Sequence, residues 1–181
     1  MHLLPFGALA ALLSLPLPVA AMTVVERDFA DLVARAEQIV VGTVEAVEEG
    51  ENENGGPLTF VTFTDLTVVK GDVEPPFVLQ LHGGTARDGV VVHVPDMPEF
   101  TVGDELVLFV RGNGHDFCPL VGVWQGRFRV RDGVVERFDG SVVTGLADGH
   151  LDSAQPRAAR RPLRLSEFTD LIREEMAHPS R

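Results

Sequence analysis

Two histidines stand at the ends of a short stretch that contains several glycines and valines. His82 and His93 flank residues 83–92, so a symmetric hairpin over this stretch would place their imidazoles directly opposite each other. Imidazole nitrogens are common zinc ligands, but a zinc site needs further protein ligands, and Asp96 or His115 would supply one. The spacing makes His82 and His93 a candidate metal pair. Two solvated histidines on neighbouring strands are the alternative.

The single cysteine, Cys118, follows His115 by three residues. A nucleophilic thiol needs a base that lowers its pKa and a group that orients the base. Because closeness in sequence does not bring an imidazole to the sulfur, we predict a buried, slowly reacting Cys118 that packs as a small apolar residue. An intermolecular disulfide is one alternative. A metal- or thiol-dependent hydrolase that uses His82, His93, His115 and Cys118 is another.

A third group of residues favours recognition over catalysis. Trp124 precedes Arg127, Arg129 and Arg131, and Trp and Arg dominate the hot spots of protein interfaces. On one strand, Trp124 and Phe128 would share a face and the arginines would share the other. These four Trp and Arg residues are candidate binding residues, and the arginine stripe suits a carboxylate-rich partner. The alternative buries both aromatic rings below solvent-facing arginines, and for Trp124 we predict this interior position.

The first 21 residues predict where the chain works. Residues 3–21 contain no charged side chain, and they end in Val19-Ala20-Ala21, whose small residues are typical of a signal-peptide cleavage site. Prolines within the run argue against a stable membrane-spanning helix. We expect cleavage after Ala21, a secreted or periplasmic mature chain that begins near Met22, and no stable membrane anchor after cleavage.

Composition limits the class of protein further. The chain has 181 residues and a net charge of −12, and such an acidic surface repels phosphate, so we expect no nucleic-acid partner. One cysteine excludes an internal disulfide, so the fold depends on its apolar core. Eleven phenylalanines and many valines indicate a β-rich interior.

The hydrophobic pattern predicts strands between two helices. Asp28 is suited to cap a first short helix, and Ser166 to cap a last one. Gly42 and the Thr64-Asp65 pair each predict a bulge. Asp132-Gly133 predicts a tight hairpin turn. Strands are predicted over residues 38–47, 58–69, 77–81, 90–94, 106–110, 127–131 and 134–138.

These elements fit a mainly β fold. We predict a small antiparallel OB-like barrel over residues 22–152, with a short N-terminal helix. Residues 153–181 are predicted to form a basic linker and an amphipathic C-terminal helix whose apolar face carries Phe168, Leu171, Ile172 and Met176.

Several segments resemble those of a family of uncharacterised exported bacterial proteins. They are Phe29 to Val44, Phe60 to Phe63, Val68 to Asp72, Phe100 to Val110 and Gly122 to Val130. The order of a helix, an A-x-x-I-V-V-G-x-V strand and a strand ending in V-x-K-G is also similar, more distantly, to netrin-like domains, which include the tissue inhibitors of metalloproteinases. This resemblance implies an OB-type barrel. Those inhibitors act through an amino-terminal cysteine, which a chain starting near Met22 does not have.

Together these observations favour a secreted, non-enzymatic protein-binding module whose partner is another exported protein. The hydrolase described above and a structural component of the cell envelope are the alternatives. We expect no cofactor, except zinc if the histidine pair binds metal.

Overall fold

The computed structural model of the chain describes residues 26–179. The predicted signal peptide, residues 1–21, and the expected start near Met22 lie outside these residues. Within the described part the strands pair antiparallel, and a helix lies near each end. The prediction of a mainly β, antiparallel fold with a helix at each end is therefore confirmed. Neither helix in this part of the chain is long and apolar enough to cross a membrane.

The elements, in chain order, are α1 (Phe29–Arg35), β1 (Gln38–Glu51), β2 (Pro57–Lys70), β3 (Phe77–His82), β4 (Gly84–Thr85), β5 (Val91–Val92), β6 (Glu105–Val110), a 3-10 helix (Val123–Gly126), β7 (Arg127–Arg131), β8 (Val134–Glu136), β9 (Val142–Ala147), β10 (His150–Ala154) and α2 (Leu165–Ala177). Each of the seven predicted strands has a counterpart among them, whereas β4, β9 and β10 were not predicted.

One large sheet contains most of the strands. Its order is β10-β9-β8-β7-β6-β1-β2-β3, and β4 and β5 pair as a separate ribbon. Among the strands of residues 26–179, β3 and β10 are the ends of this sheet and do not pair with each other. Strand pairing thus leaves the described sheet open, whereas the sequence predicts an OB-like barrel.

Both faces of the sheet are buried at its centre, in β6 and the first residues of β1. In β6, Val107 and Phe109 belong to one core, while Leu106, Leu108 and Val110 belong to the other, because successive side chains of a strand point to opposite faces. This double burial explains the unbroken apolar sequence of β6. The helix-side core lies under α1 and α2 and contains Phe29, Leu32, Val33, Ile39, Val41, Val107, Phe109, Phe128, Val135, Val143, Phe168 and Ile172. The inner core contains Val40, Val44, Val61, Phe63, Phe77, Leu79, Leu81, Leu106, Leu108, Val110 and Leu120.

The two predicted bulges are one irregularity. Val41 pairs with Thr67 and Thr43 pairs with Thr64, so the single residue Gly42 on β1 stands opposite two residues of β2. Asp65 in that bulge has a φ of 51°. A Cβ at Gly42 would lie 3.2 Å from Leu66 Cδ1 and 3.3 Å from the Thr64 carbonyl oxygen. The close approach of β2 therefore explains the glycine.

A loop covers the free edge of β3. The Asn113 side chain accepts a hydrogen bond from the Gln80 N–H at 2.9 Å and donates one to the Val78 carbonyl at 2.8 Å. The His82 N–H donates to the Phe117 carbonyl at 3.3 Å. Further along, Leu120 forms a bridge to Val110 at the end of β6. Residues 111–121 thus connect β3 to β6 across the open side of the inner core.

Helix α2 begins differently from the prediction. Arg164, not Ser166, is the N-cap, and its N–H donates to a Glu167 carboxylate oxygen at 2.9 Å. Tertiary contacts fix this start, because the Leu165 N–H donates to the Gly133 carbonyl and Arg164 bridges to Val134. The prediction of a Ser166 cap was therefore wrong.

Other strand boundaries also differ, since β1 extends to Glu51 and β8 ends at Glu136, whereas the predicted ends are residues 47 and 138. The predicted strand over residues 90–94 is confined to Val91–Val92. Strand β10 extends to Ala154, into the predicted linker.

The predicted Asp28 cap of α1 is confirmed, because its carboxylate accepts the Asp31 N–H at 2.6 Å.

The Gly42 position yields a stability test. We expect Gly42→Ala to lower the free energy of unfolding by about 1–3 kcal/mol, because the added methyl group overpacks the bulge. Urea titration followed by circular dichroism measures the change. Gly145→Ala is the matched control, since a Cβ at this β9 position meets nothing within 4 Å. Equal unfolding midpoints for the two variants would contradict the close approach.

Candidate functional site

The two candidate metal-binding histidines are not opposite each other. Gly84 pairs with Val92 and Thr85 with Val91, and continuing this register places Gly83 opposite His93. His82 instead ends β3, where it pairs with Leu58. The predicted cross-strand pairing was therefore wrong by one residue, which is enough to change which side chains face each other.

The surroundings of His82 and His115 differ from a metal site. The His82 ring stacks on Phe117 with ring centroids 5.1 Å apart, and His115 is exposed. Residues 26–179 hold no group of three or more His, Cys, Asp or Glu side chains placed to bind one metal ion. The predicted metal pair of His82 and His93 thus has no third ligand in the described part of the chain.

His82 and His93 do line one groove. It has a volume of about 420 Å³ and lies between the β4–β5 ribbon and the segment that ends at Phe100. Valines of β5 and the acidic side chains of Glu49 and Glu99 share its wall. The groove therefore combines apolar surface with negative charge.

Cys118 is only half-buried, although the sequence predicts full burial. It packs against the inner core. Burial raises the pKa of the Cys118 thiol, and a backbone hydrogen bond with Leu120 offsets this in part. Because the thiolate is the nucleophile, a raised pKa makes Cys118 a poor nucleophile near neutral pH.

Trp124 does not lie on a strand. It belongs to the 3-10 helix Val123–Gly126, and β7 begins only at Arg127. The prediction that Trp124 and Phe128 share a strand face was therefore wrong. Phe128 is 2% exposed in the helix-side core. Trp124 is half-buried and packs against Phe138 in a tilted arrangement with ring centroids 4.0 Å apart, so its predicted interior position was also wrong.

Backbone constraints place Trp124 at the surface. Gly122 caps the 3-10 helix with a φ of 66°, a left-handed conformation that favours glycine. A Cβ at Gly126 would lie 2.6 Å from the Val121 carbonyl oxygen, so the chain passes too close for any side chain there. Gln125 accepts a hydrogen bond from the Arg27 N–H at 2.8 Å. These contacts fix the turn that presents the indole.

Phe138 is held at the surface by the turn between β8 and β9. The Arg137 N–H donates to the Ser141 carbonyl at 2.8 Å, and the Asp139 carboxylate accepts hydrogen bonds from the Ser141 N–H and hydroxyl at 2.9 and 2.6 Å. Although burial raises the pKa of Asp139, the Ser141 hydrogen bonds and the charge of Arg137 lower it overall. Phe138 is 45% exposed.

Trp124 and Phe138 border a recess of about 280 Å³, which Glu26, Gln125, Arg137 and Asp139 also line. We call Trp124, Arg137 and Phe138 the aromatic patch. Sequence reasoning found Trp124 but missed Phe138, which it placed at the end of a predicted strand. Its position directly before Asp139-Gly140, a turn signal, is the feature that could have identified it.

The three predicted binding arginines share one face of β7, apart from the recess beside Trp124. The Asp104 carboxylate forms ion pairs with two of them. It lies 2.9 Å from Arg129 Nη2 and 4.0 Å from Arg127 Nη2. The Arg127 guanidinium also lies over the Phe100 ring, 5.1 Å from its centroid. Burial and the charge of Arg129 lower the pKa of Arg127. Arg131 lies 4.0 Å from Glu136 and its side chain is 62% exposed. Asp104 and Glu136 of the same chain thus neutralise much of the positive charge of these arginines.

Comparison with family models, curated proteins and solved structures finds no match to this chain. The geometry of the described residues therefore carries the functional argument.

Cys118 gives a pH-dependent prediction. We expect its labelling by a maleimide at pH 7 to be at least about tenfold slower than in urea-unfolded protein, because the folded thiol is half-buried and its pKa is raised. The folded rate should rise at a higher pH than the unfolded rate, since thiolate forms only above the raised pKa. Stopped-flow labelling across pH measures both. Identical pH profiles would contradict the assignment.

Trp124 gives a second prediction. We expect Trp124→Ala to cost about 1–2 kcal/mol, because a half-exposed ring loses less buried area than a core ring. The matched variant Phe128→Ala should cost about 3–5 kcal/mol, the range for a buried aromatic. Thermal and urea unfolding compare them. An equal cost for both variants would place Trp124 in the core after all.

Proposed function

We propose that this protein is a secreted or periplasmic, non-enzymatic protein-binding module, and that the aromatic patch contacts another exported protein. The observation that carries this proposal is the Trp124–Phe138 ring pair, held at the surface beside Arg137. Residues 1–21, which are typical of a signal peptide, support the location.

The chemistry of the aromatic patch suits a protein partner. Trp and Arg are enriched among the residues that contribute most to binding, and rigid aromatic rings lose little conformational entropy on contact. Arg137 is oriented by its hydrogen bond to the Leu151 carbonyl at 3.3 Å and by Glu26 at 3.9 Å. A recess between an aromatic pair and an oriented guanidinium would accept an apolar side chain, while Glu26 and Asp139 in its wall disfavour a carboxylate.

The hydrolase alternative has weaker support. It needs His82, His93, His115 and Cys118 to act together, but His82 stacks on Phe117, His115 is exposed and the pKa of Cys118 is raised. A thiol with a raised pKa and no oriented base is the opposite of an activated nucleophile.

We also propose that the inner core is the interior of an OB-like barrel, as the netrin-like resemblance implies. Strands β1, β2, β3 and β6 surround this core, and residues 111–121 bridge β3 and β6 through Asn113 and Leu120. A loop would then take the place of a closing strand. The only cysteine of the chain is Cys118, so an inhibitory mechanism through an amino-terminal cysteine is not part of the proposal.

Replacement of Phe138 tests the proposed function. Immobilised mature protein would be exposed to the exported proteins of the native cell, and the affinity of each captured protein would be measured after purification. We expect Phe138→Ser to weaken partner binding by at least about tenfold, because a central aromatic anchor is lost. Stability should fall by about 1–2 kcal/mol, because Phe138 is 45% exposed and loses its contact with Trp124, so binding is compared at a temperature at which both proteins are folded.

Val102→Ser is the matched control, because Val102 is 61% exposed and lies outside the aromatic patch. This variant should bind within about twofold of the unsubstituted protein, as expected for an exposed residue outside an interface. The proposal fails if every captured protein binds the Phe138→Ser variant as tightly as the original chain.

A further inference from the structure

The outer edge of β5 is exposed and apolar. Val90, Val91 and Val92 are 52%, 68% and 40% exposed, and β4 is the only strand of residues 26–179 that pairs with β5. Natural edge strands are usually protected by charges, prolines or covering loops. The Asn113 loop gives β3 such protection, whereas three successive valines mark β5 as a surface that another chain can cover.

The backbone groups of Val91 point away from the ribbon. The Ala86 N–H donates to the Val90 carbonyl at 2.8 Å, and bonded and non-bonded pairs alternate along an antiparallel ladder. Gly84 and Val92 are then the next bonded pair, and Thr85 and Val91 form the non-bonded pair between them. The N–H and carbonyl of Val91 are therefore directed outward, where an added strand would bond to them.

The groove beside this edge is acidic. Glu49 and Glu99 line it, together with β5, and no Lys or Arg is among the described residues of its wall. The Glu49 carboxylate lies across β4, with Oε1 3.4 Å from the position of a Cβ on Gly84. A side chain that enters the groove from an added strand would thus meet two carboxylates.

We propose that β5 binds an extended segment of another exported protein by strand addition, and that this segment places a Lys or Arg side chain between Glu49 and Glu99. Main-chain hydrogen bonds to Val91 give affinity, and the groove gives specificity, as in other edge-strand recognition. This surface is separate from the aromatic patch, so either proposal can fail without the other.

Charge favours a basic partner over a second copy of this chain. The chain has a net charge of −12, so two copies repel each other. An antiparallel pairing of β5 with its own copy would also bring the same acidic groove walls together. A basic segment removes this repulsion and adds positive charge to a groove whose described wall has no Lys or Arg, although Glu99 also interacts with Arg127 outside that wall.

A peptide library tests the proposal. Its members are acetylated and amidated hexapeptides with Val or Leu at alternate positions and Lys, Arg, Gln or Glu at one central position. We expect the Lys and Arg peptides to bind at least about tenfold more tightly than the Glu peptides in calorimetry at low salt, because the groove attracts positive charge. The double variant Glu49→Gln, Glu99→Gln should reduce this preference to within about threefold, because the carboxylates that select charge are gone.

Variants of Val91 test the strand addition itself. Val91→Pro removes the outward N–H and should abolish peptide binding with little change in melting temperature, since that N–H makes no bond to β4. Val91→Thr keeps the N–H and the β-branched shape and should still bind. Phe138→Ser should bind the peptides unchanged.

Four results would overturn the inference. They are the absence of binding by every peptide, equal affinity for Lys and Glu peptides, retained binding by Val91→Pro, and a sedimenting dimer that Val91→Pro dissociates. The last result would assign the β5 edge to a second copy of the chain.

Discussion

The rest of the fold depends on one constraint, which is that β1 must serve two cores at once. Ile39 and Val41 pack in the helix-side core, while Val40 and Val44 pack in the inner core. If β1 were flat, its two sets of core side chains would lie on either side of a single plane along the whole strand. The bulge at Gly42 lets β1 coil, so its first half pairs with β6 and its length pairs with β2. Val47 and Glu49 of this strand line the groove, and its first residues share the helix-side core with α1 and α2.

Local patterns predicted most elements, because their signals lie within a few residues. The Asp28 cap, the Asp132-Gly133 turn and the apolar run of β6 each formed as expected. The pairing of residues that are distant in sequence was harder to predict from the sequence. Gly42 faces the Asp65 bulge, which depends on a partner strand distant in sequence. His93 is one residue out of register with His82, which depends on a strand offset that residue types do not specify.

The candidate site shows the same division. Trp124 was found from its residue type, but its neighbour Phe138 comes from another hairpin. A strand-period interpretation failed at Trp124 because Gly122 and Gly126 fold the backbone into a 3-10 turn there. The arginines were placed on one face correctly, whereas their internal pairing with Asp104 requires the register of β6 against β7. Periodicity predicts a face but not what that face contacts.

The shared strands also determine how the molecule opens. Because β6 contributes alternate side chains to both cores, unfolding of β6 exposes both cores to water. We expect the two cores to be lost together when β6 unfolds, and amide hydrogens at the centre of β1 and β6 to be among the slowest to exchange with solvent. The β4–β5 ribbon has no such double anchorage. We expect its amides to exchange by local opening, so the backbone proposed to accept an added strand would open more readily than the strands of the large sheet beside it.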